Sequence, residues 1–212
     1  MQTLITVGLI LFALTFCGLQ ERLKSVSSGA NSNAASTNSN SSGTSTSSAS
    51  AEKAKPSSSQ QAIIDGGTEA KWDQQGISWK LPPKWKKMDV DKETFTYQSP
   101  DNAYLLVNIT SLGDDFPADT SLKSYYEMAR QQQKTGKYDS SNMVEIDGIP
   151  GVESIEAMPK DKTDPRRHQW IAYRTYKGEV QQLSVMTSTT GANFDKHADD
   201  FTAILYSMKV TK

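Results

Sequence analysis

Two histidines, one cysteine and four tryptophans are the side chains in this 212-residue chain from which acid–base, thiol or aromatic recognition chemistry could be built. His168 follows Arg166-Arg167 at the start of an apolar, β-branched stretch. His197 stands beside an apolar stripe with Asp200 one helical turn on. An imidazole in either place could serve as a general base, but nucleophilic catalysis also needs an activated Ser, Cys or Lys beside it. No Gly-x-Ser-x-Gly elbow occurs. Both histidines therefore read as structural, His168 as an exposed strand-end residue and His197 as a helix flank. Two distant histidines make no zinc spacing. Asp161-Lys162-Thr163-Asp164 and Gly113-Asp114-Asp115 lack the oxygen-ligand pattern of a calcium loop and read as solvated turns. No phosphate-cradling glycine loop is present. The reading is of a protein that is not an enzyme and takes no cofactor and no metal.

Net charge excludes another class. The chain carries a formal −1 with a pI near 6.1, whereas a nucleic-acid partner calls for a basic stripe. The clusters Lys84-Trp85-Lys86-Lys87 and Arg166-Arg167-His168 are short and flanked by acids, as solvated surfaces are. Trp85 with Lys86 and Lys87, and Arg166 with Arg167 and His168, are the positions where contact with a protein partner is expected. Trp79 and Trp170 sit in strand patterns and read as core. Trp72 stands where the folded part begins.

Cys17 ends an apolar run over residues 4–14, which is too short to cross a bilayer as a helix of about 20 residues. Leu14-Thr15-Phe16-Cys17 resembles the lipobox of bacterial lipoproteins. The resemblance implies a signal peptide over 1–17 and a diacylglyceryl thioether on Cys17, holding the protein to a membrane outside the cytoplasm. With that cysteine acylated, no thiol remains for disulfides or catalysis. Residues 25–61 are almost all Ser, Asn, Thr, Ala and Gly, with too little apolar side chain to offset the entropy of ordering them. A disordered stalk is expected over 18–67, with a reach of about 40 Å, and one globular domain over 68–212.

Within that domain the elements can be read from period and punctuation. Ile77-Ser78-Trp79-Lys80-Leu81 alternates and stops at Pro82-Pro83. Strands follow at 94–98 and 103–112, separated by the turn Ser99-Pro100-Asp101-Asn102. Leu122, Tyr125, Tyr126 and Ala129 then fall on one helical face, capped from Thr120 or Ser121 and ended at Gly136. Strands resume at 142–146, 152–157, 169–176 and 180–187, with tight connections at Gly148-Ile149-Pro150-Gly151 and Lys177-Gly178-Glu179. A last helix from about Asn193 buries Phe194, Ala198, Phe201, Ile204, Leu205 and Met208. Order βββαββββα with short strand connections predicts an α+β fold, an α/β/α sandwich on a mainly antiparallel sheet of about seven strands with two main helices.

Trp79-Lys80-Leu81-Pro82-Pro83-Lys84-Trp85, then Phe95-Thr96-Tyr97-Gln98-Ser99-Pro100-Asp101, resembles the start of PsbP-like domains. Ile146-Asp147-Gly148-Ile149-Pro150-Gly151 and Phe201-x-x-Ile204-Leu205 agree with that resemblance. It extends over residues 76–210 and to photosystem extrinsic proteins, the DcrB and LpqN envelope lipoproteins and the Ran-binding Mog family. It implies the α/β/α sandwich and partner binding without a shared catalytic chemistry. DcrB-like envelope lipoproteins are the nearer analogy, because a Ser/Asn stalk stands where the photosystem protein carries a structured extension.

Three functions compete. The first is a lipid-anchored, non-enzymatic module that binds an envelope protein. The second is a carrier of a small apolar ligand or lipid, suggested by Tyr125, Tyr126 and nearby tryptophans. The third is a hydrolase built on His168 or His197.

Overall fold

Two tight turns set the register of the main sheet. In the computed structural model, which describes residues 50–210, Asp147-Gly148 and Lys177-Gly178 each have positive φ at both positions (49° and 87°, 52° and 87°). That pair of conformations gives the twist that flanking antiparallel strands need, and glycine adopts the second without strain. Ile146 consequently pairs with Ile149, and Tyr176 with Glu179.

The elements run β1 (Glu52–Lys53), α1 (Ser58–Gly66), β2 (Thr68–Trp72), a 3₁₀ turn (Asp73–Gln75), β3 (Ile77–Leu81), β4 (Lys86–Val90), β5 (Thr94–Gln98), β6 (Tyr104–Leu112), α2 (Ala118–Lys134), β7 (Tyr138–Ile146), β8 (Ile149–Glu156), β9 (Pro165–Tyr176), β10 (Glu179–Thr190), α3 (Gly191–Tyr206) and β11 (Lys209–Val210). The α+β class and the mainly antiparallel sheet match the sequence expectation. Eight strands form the main sheet in the order β1-β7-β8-β9-β10-β6-β5-β4, and β11-β3-β2 form a second, three-stranded sheet. Among the described residues only β1 and β7 pair in parallel. The expected strand at 77–81 thus belongs to the small sheet, while β1 and β4 extend the large one at its edges.

Three local features depart from expectation. Residues 52–66 were expected within the stalk, yet β1 pairs with β7 and α1 is a regular helix. Ser57 caps α1 through a complete capping box with Gln60. Ser59 and Gln60 donate to the Asp199 carboxylate on α3 at 2.9 and 3.0 Å, which fixes the helix to the domain. The Lys-rich turn after Pro83 continues as β4, an edge strand broken by a bulge between Lys87 and Asp89. Exposed lysines and a bulge are what keep a sheet edge from pairing with other chains. Finally, α2 starts at Ala118, ahead of the expected cap, and no side chain caps it. It ends as expected at Gly136 (φ 76°). The amides of Gly136 and Lys137 reach back to Gln133 and Gln132, closing a Schellman motif. Cys17, the signal segment and the greater part of the stalk lie outside the described residues.

Alternation divides the main sheet into two faces. On the inner face Phe95, Leu105, Val107, Trp170, Ala172, Leu183 and Val185 are buried and pack against Trp72, Trp79 and Leu81 of the small sheet and Ile204, Leu205 and Met208 of α3 and its end. Phe95 lies between Trp79, Tyr97 and Trp72, at ring separations of 4.8, 4.8 and 5.5 Å. Trp170 lies flat on Gly151, where a Cβ would come within 2.4 Å of the indole. On the outer face α2 packs Leu122 and Ala129 against Val152, with Tyr125, Tyr126, Met143 and Tyr173 around them.

Candidate functional site

The histidines come first, because acid–base chemistry would need them. Alternation back from Trp170 puts His168 and Arg166 on the inner face of β9, and both are buried. His168 Nε2 lies 2.7 Å from Glu153 Oε1 on β8, and Tyr206 on α3 donates to Glu153 Oε2 at 3.1 Å. Both carboxylate oxygens are therefore occupied. Burial first, and then the Glu153 charge, push the Tyr206 hydroxyl well above its ordinary pKa, so it stays a neutral donor. Glu153 and Tyr206 reach a cleft of about 770 Å³ at the β1–β7 edge, whose other lining includes Glu52, Lys53 and Asn142. The sequence reading of His168 as an exposed strand-end residue is corrected: β9 begins at Pro165, four residues earlier than read, and that carries His168 inside.

His197 is also buried, on α3. Its Nδ1 lies 3.3 Å from Asp200, and its ring stacks on Phe201 at 5.7 Å. Nε2 stands 3.1 Å from Asp101 Oδ2, off the line of a hydrogen bond. Asp101 takes Lys196 Nζ at 2.6 Å and Ser99 Oγ at 2.8 Å. These two bonds, Lys196 first, hold its carboxyl well below the usual carboxylate range. The cluster fastens the turn at 99–103 to α3. Among the described residues neither imidazole is hydrogen-bonded to a Ser, Thr or Lys side chain, and no group of three or more His, Cys, Asp or Glu is arranged to hold a metal ion.

The two basic clusters come apart. Arg166 is buried and bridges three elements. It donates to Asp139 at 2.6 Å, Asp195 at 3.0 Å and the Glu156 carbonyl at 2.8 Å, with its guanidinium over the Phe194 ring. Arg167 points to the outer face and is held by Glu156 at 3.0 Å. Consecutive strand residues face opposite ways, so Arg166, Arg167 and His168 do not form the joint exposed surface expected from their adjacency. Trp85 is half-buried and packs on the core rather than standing free. Lys86 and Lys87 are exposed on β4. Trp72, Trp79 and Trp170 are core, as the strand pattern indicated for the latter two. Tyr125 faces the sheet from α2, and burial pushes its hydroxyl up to about 12.

A surface that sequence reading did not single out lies on the other half of the outer face. Helix α2 covers β7, β8 and β9, and among the described residues no helix lies above β10, β6 and β5 on this face. The outward positions there are every second residue from Thr94 to Gln98, from Tyr104 to Leu112 and from Val180 to Thr190. They include no Asp, Glu, Lys, Arg or His, although 22% of the chain is charged. Leu106 pairs with Met186 and, on its other side, with Thr96. Tyr104, 40% exposed, stands beside them. The remainder is Ser, Thr, Asn and Gln, with the apolar pair Leu112 and Val180 at one end, all half-buried or exposed. The signal was present in the sequence as two polar, uncharged period-two registers.

No family model matches the chain, and no curated protein does. Among solved structures it is similar to a protein of Bacteroides thetaiotaomicron (18% identity, TM-score 0.43, covering 69% of this chain and 49% of that one). It is also similar to LpqN, involved in cell envelope biogenesis of Mycobacterium tuberculosis (12%, 0.49, 69% and 86%). A third likeness is to the cyanobacterial PsbP of Synechocystis (14%, 0.44, 69% and 94%). The chain spans about half the length of the Bacteroides protein. LpqN and PsbP belong to the group that the sequence resemblance named, and the likeness is one of fold.

Proposed function

We propose that this domain is a non-enzymatic protein-binding module that docks an envelope protein on the outer face of β5, β6 and β10. The absence of charge from that face carries the reading. A sheet face that merely meets water tolerates Lys and Glu freely, whereas the centres of protein interfaces are depleted of them and keep aromatic, Met and hydrogen-bonding side chains. Tyr104, Leu106 and Met186 supply the apolar centre, and the surrounding hydroxyls and amides can pair with a partner without the cost of desolvating an ion. The surface is a sheet face rather than a concavity, which suits a macromolecule better than a small ligand. The cleft at the β1–β7 edge includes Glu52, Lys53, Lys55 and Glu153 in its lining, which suits an apolar carrier poorly.

The module works outside the cytoplasm, tethered to a membrane through a lipid on Cys17; the lipobox-like segment and the Ser/Asn tract support this part. The test is site-specific photo-crosslinking of the full chain in its own cells, with the crosslinker at Met186 and, as a control, at Lys123 on α2. A discrete protein adduct from Met186 and none from Lys123 is expected. No adduct, or equal adducts from both positions, overturns the proposal.

A further inference from the structure

One edge of the main sheet begins with a lysine where glycine would sit more easily. The Trp85 amide donates to the Pro82 carbonyl at 3.4 Å, and Lys84 between them has a φ of 72°. Proline holds φ negative at Pro83, so the turn is of type II, whose third position favours glycine. A lysine there strains the backbone. Protection of the edge does not account for it, since Lys86 and Lys87 already stand exposed on β4.

Lys84 lines a cleft of about 570 Å³ with Lys86, Met88, Gln98, Ser99 and Pro100, and no carboxylate is among them. Lys71, Lys92, Lys196 and Lys209 all have acidic partners. Among the described residues Lys84, Lys86 and Lys87 have none. Met88 is the extra residue of the bulge between Lys87 and Asp89, and a bulge re-aims the side chain it carries. At 57% it is the most exposed large apolar side chain among the described residues. Trp85 fastens the turn from beneath, half-buried against the core.

Unpaired ammonium groups around a protruding apolar tip complement one kind of surface, in which phosphates lie outside and hydrocarbon lies under them. The same charges and bulge discourage a protein strand from adding to this edge. We propose that the β4 edge rests on the anionic headgroups of a lipid bilayer, with Lys84, Lys86 and Lys87 against the phosphates and Met88 reaching below them. Three lysines bind a bilayer weakly, but a tether raises the local concentration at which the edge meets it. The main sheet measures about 34 Å from β1 to β4, at roughly 4.8 Å between strands. Residues 18–49, roughly 105 Å when drawn out at about 3.3 Å each, allow a chain anchored at Cys17 to turn that far edge downward. The face of β5, β6 and β10 then stands upright on the membrane, open to a partner from the side.

The test uses the full chain carrying Cys17→Ala, which cannot be acylated, so the outcome is independent of the anchor. Co-sedimentation is measured with phosphatidylcholine vesicles, with and without phosphatidylglycerol; the apolar segment over 4–14 contributes alike to both. Tighter binding to the phosphatidylglycerol vesicles, lost at high salt, is expected. Lys84→Gln together with Lys86→Gln should weaken it at least about tenfold, from about fivefold for each lysine. The same charge change on α2, Lys123→Gln with Lys134→Gln, should leave it within about twofold. Lys84→Gly relieves the turn, so it should keep the fold and still lose about fivefold in binding. Equal binding to both kinds of vesicle, or equal losses from the β4 and α2 pairs, overturns the proposal.

Discussion

The two sides of β5, β6 and β10 are built from alternate residues of the same strands, yet they share almost nothing. The inner side is Phe95, Leu105, Val107, Leu183 and Val185, sealed under the small sheet and α3. The outer side is hydroxyls and amides around Leu106 and Met186, with no helix above it and no charge upon it among the described residues. Adhesion of the sheet to the rest of the domain depends on one side only, which leaves the other free to be shaped by what it meets. Alternation lets neighbouring residues serve these two ends without compromise.

The contrast is sharpest between Phe95 and Thr96. Phe95→Ala should cost about 3–5 kcal/mol, the range for removing a buried aromatic side chain. Thr96→Ala should change stability by less than about 0.5 kcal/mol. Urea denaturation of the two variants measures both, and similar losses would break the distinction. A subtler probe of the inner side is Gly151→Ala. Its new methyl would meet the Trp170 indole, which donates to Val144 O at 3.1 Å, so a loss of about 1–3 kcal/mol is expected from overpacking. A normal denaturation midpoint for that variant would mean that Trp170 can move aside.

On the outer side the expected loss is in binding. Met186→Lys should weaken partner capture at least tenfold, about 1.4 kcal/mol, while the denaturation midpoint barely moves. Loss of fold and binding together would mean that the outer face is structural after all. The smallest effect belongs to neither face. Asp101 titrates lower in the folded chain than in the unfolded one, so its contribution is present above the ordinary carboxylate pKa of about 3.9 and lost as pH falls from there toward the folded-state value. Because its side chain is 42% exposed, solvent screening holds that contribution under about 1 kcal/mol. Asp101→Asn should lower the thermal midpoint near neutral pH, and the gap should narrow as the pH is taken below about 4. A gap that is independent of pH would assign the effect to the hydrogen bond with Ser99 alone.

Much of this was legible in the residues. The strands from β5 to β10, β3 and both long helices follow from period and punctuation, because their inner faces are apolar enough to stand out. The elements missed are those whose register barely differs from a loop. In α1 the polar Ser58-Ser59-Gln60-Gln61 start hides a helix that the capping box at Ser57 and Gln60 could have announced. In β2 only Ala70 and Trp72 turn inward, and β1 and β11 are two residues each. The Arg166-Arg167-His168 cluster was misread because strand periodicity was not carried back past Gln169. The uncharged face was missed for a different reason. A polar residue at an outward position is the ordinary state, and the missing lysines and glutamates show only when two strands distant in sequence are set side by side, as Leu106 and Met186 are. The strain at Lys84 was silent, since a Pro-Pro turn accepts either sign of φ at its next residue.

The two-residue pairing of β1 with β7 has a mechanical consequence. A pull applied at Ser50 meets first β1, then the junction of α1 with Asp199, and only afterwards the small sheet. The first two are minor contacts at the rim, and giving them up touches no strand of the inner core. Residues 51–67, drawn out at about 3.3 Å each, lengthen the leash by roughly 55 Å. The leading end of the domain is therefore a fuse: it yields at low force, lengthens, and spares the central strands of the main sheet from the load.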